Sequence, residues 1–216
     1  MCIISFYKQN DEIILTHNRD ESIHRIASPS VEQKFWEGNE YYAPLDEEKK
    51  GTWIFYSENY IACILNGGKE KPVETKTNYK KSRGILLLDI LKYNSVIEFC
   101  KAEDLTNIAP FTILVHEIKN KKTYLLFWDE KQLNCNDLSD VNFVFRCSST
   151  LYSFNDMVKF EKKFPKFNNI SPENIMKIHY SLMMKDGDII KGKATTSITQ
   201  IFATSTKISM KYCPFF

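Results

Sequence analysis

The sequence predicts an α+β protein in which layered sheets are flanked by helices. Three observations predict it. Short β-rich runs come in pairs split by polar turns, apolar residues at helical spacing fall in two separate blocks, and the order along the chain is β, α, β, α, β. That order implies stacked layers rather than an alternating parallel sheet.

Residues 3–7 and 13–17 are β-rich runs on either side of Lys8-Gln9-Asn10-Asp11-Glu12, a hairpin that begins almost at the first residue and places the amino terminus in a sheet. Residues 53–56 and 60–65 repeat the design around Ser57-Glu58-Asn59, and the second run stops at Asn66-Gly67-Gly68. Residues 69–81 read as a long polar loop within the same domain. Ser82 caps a helix through residues 85–91, and Ser95 opens another through Val96, Ile97 and Phe99. Strands are expected at 111–117, 123–128 and 142–146, with Asn120-Lys121-Lys122 turning between the first two. Residues 153–164 and 172–184 carry helical spacing. The second of these shows Ile175, Ile178, Leu182 and Met183 on one side, with Ser171 as its cap. Runs at 197–203 and 207–212 close the chain as a last hairpin pair.

A chain of 216 residues suits a single domain spanning 1–216, and 43% hydrophobic with 26% charged residues excludes the disordered and fibrous classes. The formal charge of +2 is too small to gather phosphate backbones, so nucleic acid is not expected as a partner. No apolar run reaches the roughly 18 residues of a membrane span, and Met1-Cys2-Ile3-Ile4-Ser5-Phe6 lacks a signal peptide's basic region and length. The expectation is a cytoplasmic protein. Seven glycines form no P-loop or dinucleotide fingerprint. Six cysteines form no Cys-x-x-Cys pair, and the four histidines show no His-x-x-x-His spacing, so neither cofactor nor metal is called for and the thiols are read as reduced.

Chemistry can sit at three places. Cys2 follows the initiator Met, and removing Met1 would give one residue both a thiol nucleophile and an α-amine of pKa near ~8 able to serve as its base. The competing reading is a buried, inert thiol. Asn18-Arg19-Asp20-Glu21 ends the second strand of the first hairpin, so positions 18–20 return beside position 2. With 25 Lys and only four Arg, Arg19 looks chosen for a guanidinium that forks onto a carboxylate or holds charge beside a thiolate; the alternative is a turn salt bridge to Asp20 or Glu21. Leu65-Asn66-Gly67-Gly68 ends a strand at an amide that can face a developing oxyanion, or is simply a turn. Three further features have structural readings: Lys80-Lys81-Ser82-Arg83 as a solvated helix start, Tyr152, Phe154, Phe160, Phe164 and Phe167 as core packing, and Met183-Met184 as helix packing.

Together, Met1-Cys2-Ile3-Ile4, the tetrad Asn18-Arg19-Asp20-Glu21, Tyr42-Ala43-Pro44, Gly51-Thr52-Trp53, Leu65-Asn66 and Ser82-Arg83-Gly84 resemble the NRDE family, also called the transport and Golgi organisation 2 family. That family is similar to the N-terminal nucleophile hydrolases of the choloylglycine hydrolase and penicillin V acylase branch. The resemblance implies a four-layer αββα sandwich and hydrolysis of a small-molecule amide. It further implies Cys2 as nucleophile, Arg19 and Asp20 as orienters, and Asn66 as an oxyanion donor. The second half departs from the pattern: Arg146-Cys147-Ser148-Ser149 stands where Leu-Ser-Asn-Ser is usual, and Ala194-Thr195-Thr196-Ser197 where Gly-Thr-Arg-Ser is usual. Those departures support the alternative of a non-catalytic binding or trafficking protein for an apolar metabolite such as haem or acyl-CoA. In either case the partner is a small molecule.

Overall fold

A computed structural model describes residues 2–70, 76, 78–166, 168, 170–184 and 192–216. Twelve strands and four helices follow in chain order: β1 (Cys2–Gln9), β2 (Glu12–Glu21), β3 (Glu32–Trp36), β4 (Asn39–Ala43), β5 (Ile54–Ser57), β6 (Tyr60–Asn66), α1 (Arg83–Asp89), α2 (Val96–Ala102), β7 (Phe111–Glu117), β8 (Lys122–Trp128), β9 (Leu133–Asp137), β10 (Phe143–Cys147), α3 (Phe154–Glu161), α4 (Pro172–Ser181), β11 (Ala194–Ala203) and β12 (Ile208–Pro214).

These elements form two units. One holds residues 1–25 and 141–216, the other residues 26–140. In the first, five antiparallel strands run in the order β10-β1-β2-β11-β12. The expected first hairpin is present but longer on both arms. Gln9 pairs with Glu12, which leaves a two-residue turn whose first residue, Asn10, takes φ of 54° as such turns demand. Helices α3 and α4 cover one face of this sheet over a core that includes Ile3, Tyr7, Phe145, Tyr152, Phe164, Ile175 and Leu182. A serine caps each helix: Ser153 and Asp156 form a reciprocal capping box, and Ser171 accepts from Asn174 N ahead of Pro172 at the first turn.

In the second unit, seven antiparallel strands run β3-β4-β5-β6-β7-β8-β9, each neighbour in space also neighbour in sequence. Ser82 and Ser95 cap α1 and α2 as expected, and a single 3-10 turn at Ile90–Lys92 carries the chain between them. Leu86, Leu87, Val96 and Phe99 of this helical layer pack on Phe55, Ile64, Phe111, Ile113 and Leu126 of the sheet. Each unit is thus one helical layer laid on one antiparallel sheet, the α+β class expected.

Several expectations need adjustment. The hairpin of β3 and β4 was not foreseen, although its turn residues Glu37-Gly38, with φ of 50° and 82°, are suited to a two-residue connection. Strand β9 was also not foreseen. Both β3 and β9 are sheet edges, where polar residues blunt pairing and erase the apolar alternation that marks a strand. The turn after β7 occupies residues 118–121, so Lys122 belongs to β8. Of the polar loop at 69–81, residues 71–75 and 77 lie outside the described residues, as does Phe167 of the aromatic stripe. Within that stripe Phe164 is buried as core, whereas Phe154 is 73% exposed. Lys81 is tied to Asp89 and Glu103, and Lys80 to Asp104.

Candidate functional site

Strand β2 explains how a polar tetrad comes to be buried. It lies in the middle of the five-stranded sheet, hydrogen-bonded to β1 on one side and β11 on the other, and Asn18, Arg19, Asp20 and Glu21 are all at most 6% exposed. Successive residues of a strand point to opposite faces, and cross-strand partners share a face. Cys2 pairs with Arg19, and Ile3 with Asn18. Cys2 and Arg19 therefore share one face, while Asn18 and Asp20 turn toward the face covered by α3 and α4.

Each of these side chains has a defined set of partners. Asn18 Nδ2 donates to the carbonyl of His179 at 3.1 Å, and its Oδ1 lies 2.7 Å from His179 Nδ1. With Nδ1 as the donor, His179 Nε2 accepts from Ser5 Oγ at 2.8 Å. Ser5, Asn18 and His179 are fully buried, and that burial holds the imidazole neutral, its pKa pushed down to about 3 with His17 adding to the effect. This chain of bonds ties α4 to the sheet.

Asp20 is the electrostatic centre of the unit. Its Oδ2 accepts from the Tyr152 hydroxyl at 2.8 Å and its Oδ1 from Thr195 Oγ1 at 2.6 Å. Thr195 is itself oriented, since its oxygen accepts from Met184 N at 2.9 Å and leaves its proton for the carboxylate. Burial first, and then the neighbouring Cys2 thiol, raise the Asp20 carboxyl to about 7 against the opposing pull of the two hydroxyl donors. Around it, burial also pushes Tyr152 and the Cys147 thiol upward, Asp20 contributing to both. Asp20 follows Arg19 in the register, on the amino-terminal side of Cys2.

Cys2 itself is 4% exposed, and its carbonyl accepts from Ser148 N at 2.8 Å. Arg19 Nη1 donates to Thr196 Oγ1 at 3.1 Å and to the Arg25 carbonyl at 3.2 Å, and Thr196 Oγ1 returns a bond to the Arg19 carbonyl at 3.1 Å. The local cause is a bulge in β11: Thr195 pairs with Asp20 and Ser197 with Arg19, so Thr196 is the extra residue and is turned onto the guanidinium. Glu21 is held by Arg25 at 3.2 Å, by Lys193 and by the Ser22 N–H at 2.9 Å.

Of the four residues expected from the sequence, Cys2, Arg19 and Asp20 come together in the first unit. Asn66 belongs to the second, where it closes β6 opposite Phe111, with the following Gly67 N donating to the Pro110 carbonyl at 2.9 Å. Sequence reasoning missed Tyr152, Thr195, Thr196 and Cys147. Tyr152 read as core aromatic and the threonines as mere departures from a motif; only their pairing with Asp20 and Arg19 marks them. Among the described residues no cluster of three or more His, Cys, Asp or Glu is placed to hold a metal ion, and no helix is long and apolar enough to cross a membrane.

Comparison with solved structures identifies the fold. A cysteine-to-alanine mutant of conjugated bile acid hydrolase from Clostridium perfringens superposes with a TM-score of 0.55 at 9% identity, covering 100% of this chain and 92% of that one. Penicillin V acylase from Agrobacterium tumefaciens gives 0.55 at 7% identity, covering 100% and 86%. A second variant of the Clostridium enzyme gives 0.52 at 10% identity, covering 100% and 97%. At such identities the likeness is one of fold, and the fold is the N-terminal nucleophile hydrolase type expected from the sequence. No curated protein matches by sequence. The profile that describes Transport and Golgi organisation 2 matches residues 1–208, nearly the whole chain, and with its tetrad set beside Cys2 on this fold the protein belongs to that family.

Proposed function

We propose that the protein hydrolyses the C–N bond of a small-molecule amide in the cytoplasm, with Cys2 as nucleophile once Met1 has been removed. One observation carries the reading: Cys2 heads β1 opposite Arg19, within the field of a fully buried carboxyl, Asp20, whose proton is exchanged near neutrality. The freed α-amine of Cys2 takes the thiol proton as sulfur attacks the carbonyl carbon. The resulting ammonium protonates the leaving amine as the C–N bond breaks, and water then hydrolyses the thioester. Asp20, braced by Tyr152 and Thr195, orients the amine. Arg19, held by Thr196, keeps positive charge beside the thiolate. Asn66 is assigned the oxyanion by its resemblance to the hydrolase motif.

Intact-mass spectrometry of untagged protein, before and after a limiting dose of iodoacetamide, tests this. Loss of Met1 with Cys2 labelled ahead of the other five thiols is the expected result, and Cys2→Ala should abolish turnover in an amide screen while leaving the fold intact. Retention of Met1, or labelling of Cys2 no faster than the rest, removes the hydrolase reading.

A second reading, a carrier for an apolar metabolite such as haem or an acyl thioester, is favoured by the same departures noted in the sequence. Thr196 and Ser148 stand where the hydrolase motif has an arginine and an asparagine, and each missing transition-state donor costs roughly 3 kcal/mol. Saturable binding of such a ligand that survives Cys2→Ala, with no turnover by the native protein, would select it.

A further inference from the structure

Three of the motifs noted in the sequence, Gly51-Thr52-Trp53, Leu65-Asn66 and Ser82-Arg83-Gly84, are joined in the second unit by hydrogen bonds that the reaction itself does not use. Thr52 N donates to the Gly84 carbonyl at 3.2 Å, and a Cβ on Gly84 would lie 2.8 Å from the Thr52 carbonyl oxygen. The two backbones are in direct contact, which fixes the start of α1. From there Arg83, half-buried, sends Nη1 to the Pro110 carbonyl at 3.0 Å. That same oxygen accepts from Gly67 N at 2.9 Å, and the Gly67 carbonyl accepts from the buried Thr112 Oγ1 at 2.9 Å. Both polar backbone groups of Gly67, the residue after Asn66, are therefore held, at a φ of 89° that favours glycine. A Cβ on Gly68 would stand 2.7 Å from the Trp128 carbonyl oxygen, so the chain has no slack beyond Gly67 either.

Arg83 is out of place by the ordinary rules of helices. A cation in the first turn opposes the helix dipole, and α1 has no acidic residue there to offset it. Arginine is also scarce in a chain with 25 Lys and four Arg. What the guanidinium supplies is a charge-assisted bond to a carbonyl that already serves Gly67. We propose that Arg83 is a positioning residue for the oxyanion donor: through the shared Pro110 carbonyl it fixes the Asn66-Gly67-Gly68 turn, and with it the place of Asn66. This role rests on the assignment of Asn66 to the oxyanion in the hydrolytic reading. Arg83 touches no reacting atom, so its loss should slow only a step in which an oxyanion develops.

Two reagents separate that step from the rest. p-Nitrophenyl acetate acylates a thiolate through a tetrahedral oxyanion and releases p-nitrophenolate, whereas iodoacetamide alkylates it by direct displacement of iodide, with no oxyanion. On untagged protein, release in excess of that from Cys2→Ala gives the acylation rate of Cys2, and peptide mass spectrometry gives its alkylation rate. Arg83→Met, similar in length but with no donor, should slow acylation about tenfold or more and leave alkylation unchanged. Displacing a donor costs less than the roughly 10²–10³-fold of removing one outright. Thr112→Val, which releases the Gly67 carbonyl from the other side, should show the same split and serves equally well if Arg83→Met does not fold. Arg83→Lys, which retains a donor, should fall between Arg83→Met and the native protein. In an Asn66→Ala background neither Arg83→Met nor Thr112→Val should slow acylation further, because the group they position is gone. Equal losses in both reactions, additive losses in the Asn66→Ala background, or native acylation rates in both variants would overturn the role of Arg83, while slow acylation by Asn66→Ala alone leaves the hydrolytic reading intact. Acylation that Asn66→Ala does not slow would overturn the oxyanion assignment and the role of Arg83 with it. Native protein that releases no more than Cys2→Ala would remove the nucleophile as well.

Discussion

Replacing Asp20 by Asn isolates the most perturbed carboxyl among the described residues. Its pKa is about 7 in the folded chain against an ordinary 3.8, so the folded state keeps a proton that the unfolded chain gives up. Between those values the unfolded state holds one proton fewer, and stability falls by about 1.4 kcal/mol per pH unit. The contribution is complete below the unfolded value and is lost as pH rises through the folded one, a total of about 4 kcal/mol. The native protein alone would hide this. His179, pushed from 6.5 down to about 3, has the opposite sign: its contribution is complete above 6.5 and is lost as pH falls toward 3. Over the shared interval the two slopes oppose each other, so the difference between native protein and Asp20→Asn is the informative quantity. Urea unfolding at pH 4 to 8.5 should show the variant gaining about 4 kcal/mol on the native protein as pH rises, most of it below pH 7. A constant offset is expected on top, because the Asn amide nitrogen cannot accept from the hydroxyl it faces. A difference between the two proteins that stays flat across this range would show that Asp20 ionises normally and that its burial does not shape the site.

Tyr152→Phe deletes one of the two hydroxyls on Asp20 and should cost about 1–3 kcal/mol above pH 7 in urea melts, with less lost at pH 5, where the carboxyl is neutral. Ser5→Ala leaves the buried Nε2 of His179 without its 2.8 Å donor and should cost about 1–3 kcal/mol; an unchanged midpoint would argue against the assigned tautomer. Gly84→Ala sets a Cβ 2.8 Å from the Thr52 carbonyl oxygen, so backbone must move, and a loss of about 2 kcal/mol or more is expected. Gly38→Ala meets no atom within 4 Å and carries only the strain of its φ of 82°, so thermal denaturation should rank it well below Gly84→Ala.

The bulge in β11 gives one of the polar departures a structural place. Where the related motif has an arginine, Thr196 bulges out of β11 and grips Arg19 instead. The tetrad is therefore divided between two roles by the alternation of one strand: Asn18 and Asp20 bind the helical side through His179, Tyr152 and Thr195, and Arg19 shares the opposite face with Cys2. One prediction of this division is that Asn18 governs stability more than chemistry.

Local order was legible in the chain because it depends on neighbours in sequence. Serines at 82, 95 and 171 mark three helix starts, polar breaks mark the hairpins, and the residues of the tetrad mark the family. The edge strands β3 and β9 escaped, since a strand paired on one side only has no need of a continuous apolar pattern and carries charge instead. The place of the tetrad beside Cys2 was legible, but its partners were not. Its burial comes with partners 132 to 177 residues away that no local pattern announces. A carboxyl's proton affinity depends on solvent exclusion and on donors brought from distant segments, and both exist only once β11 and the segment before α3 have closed around β2.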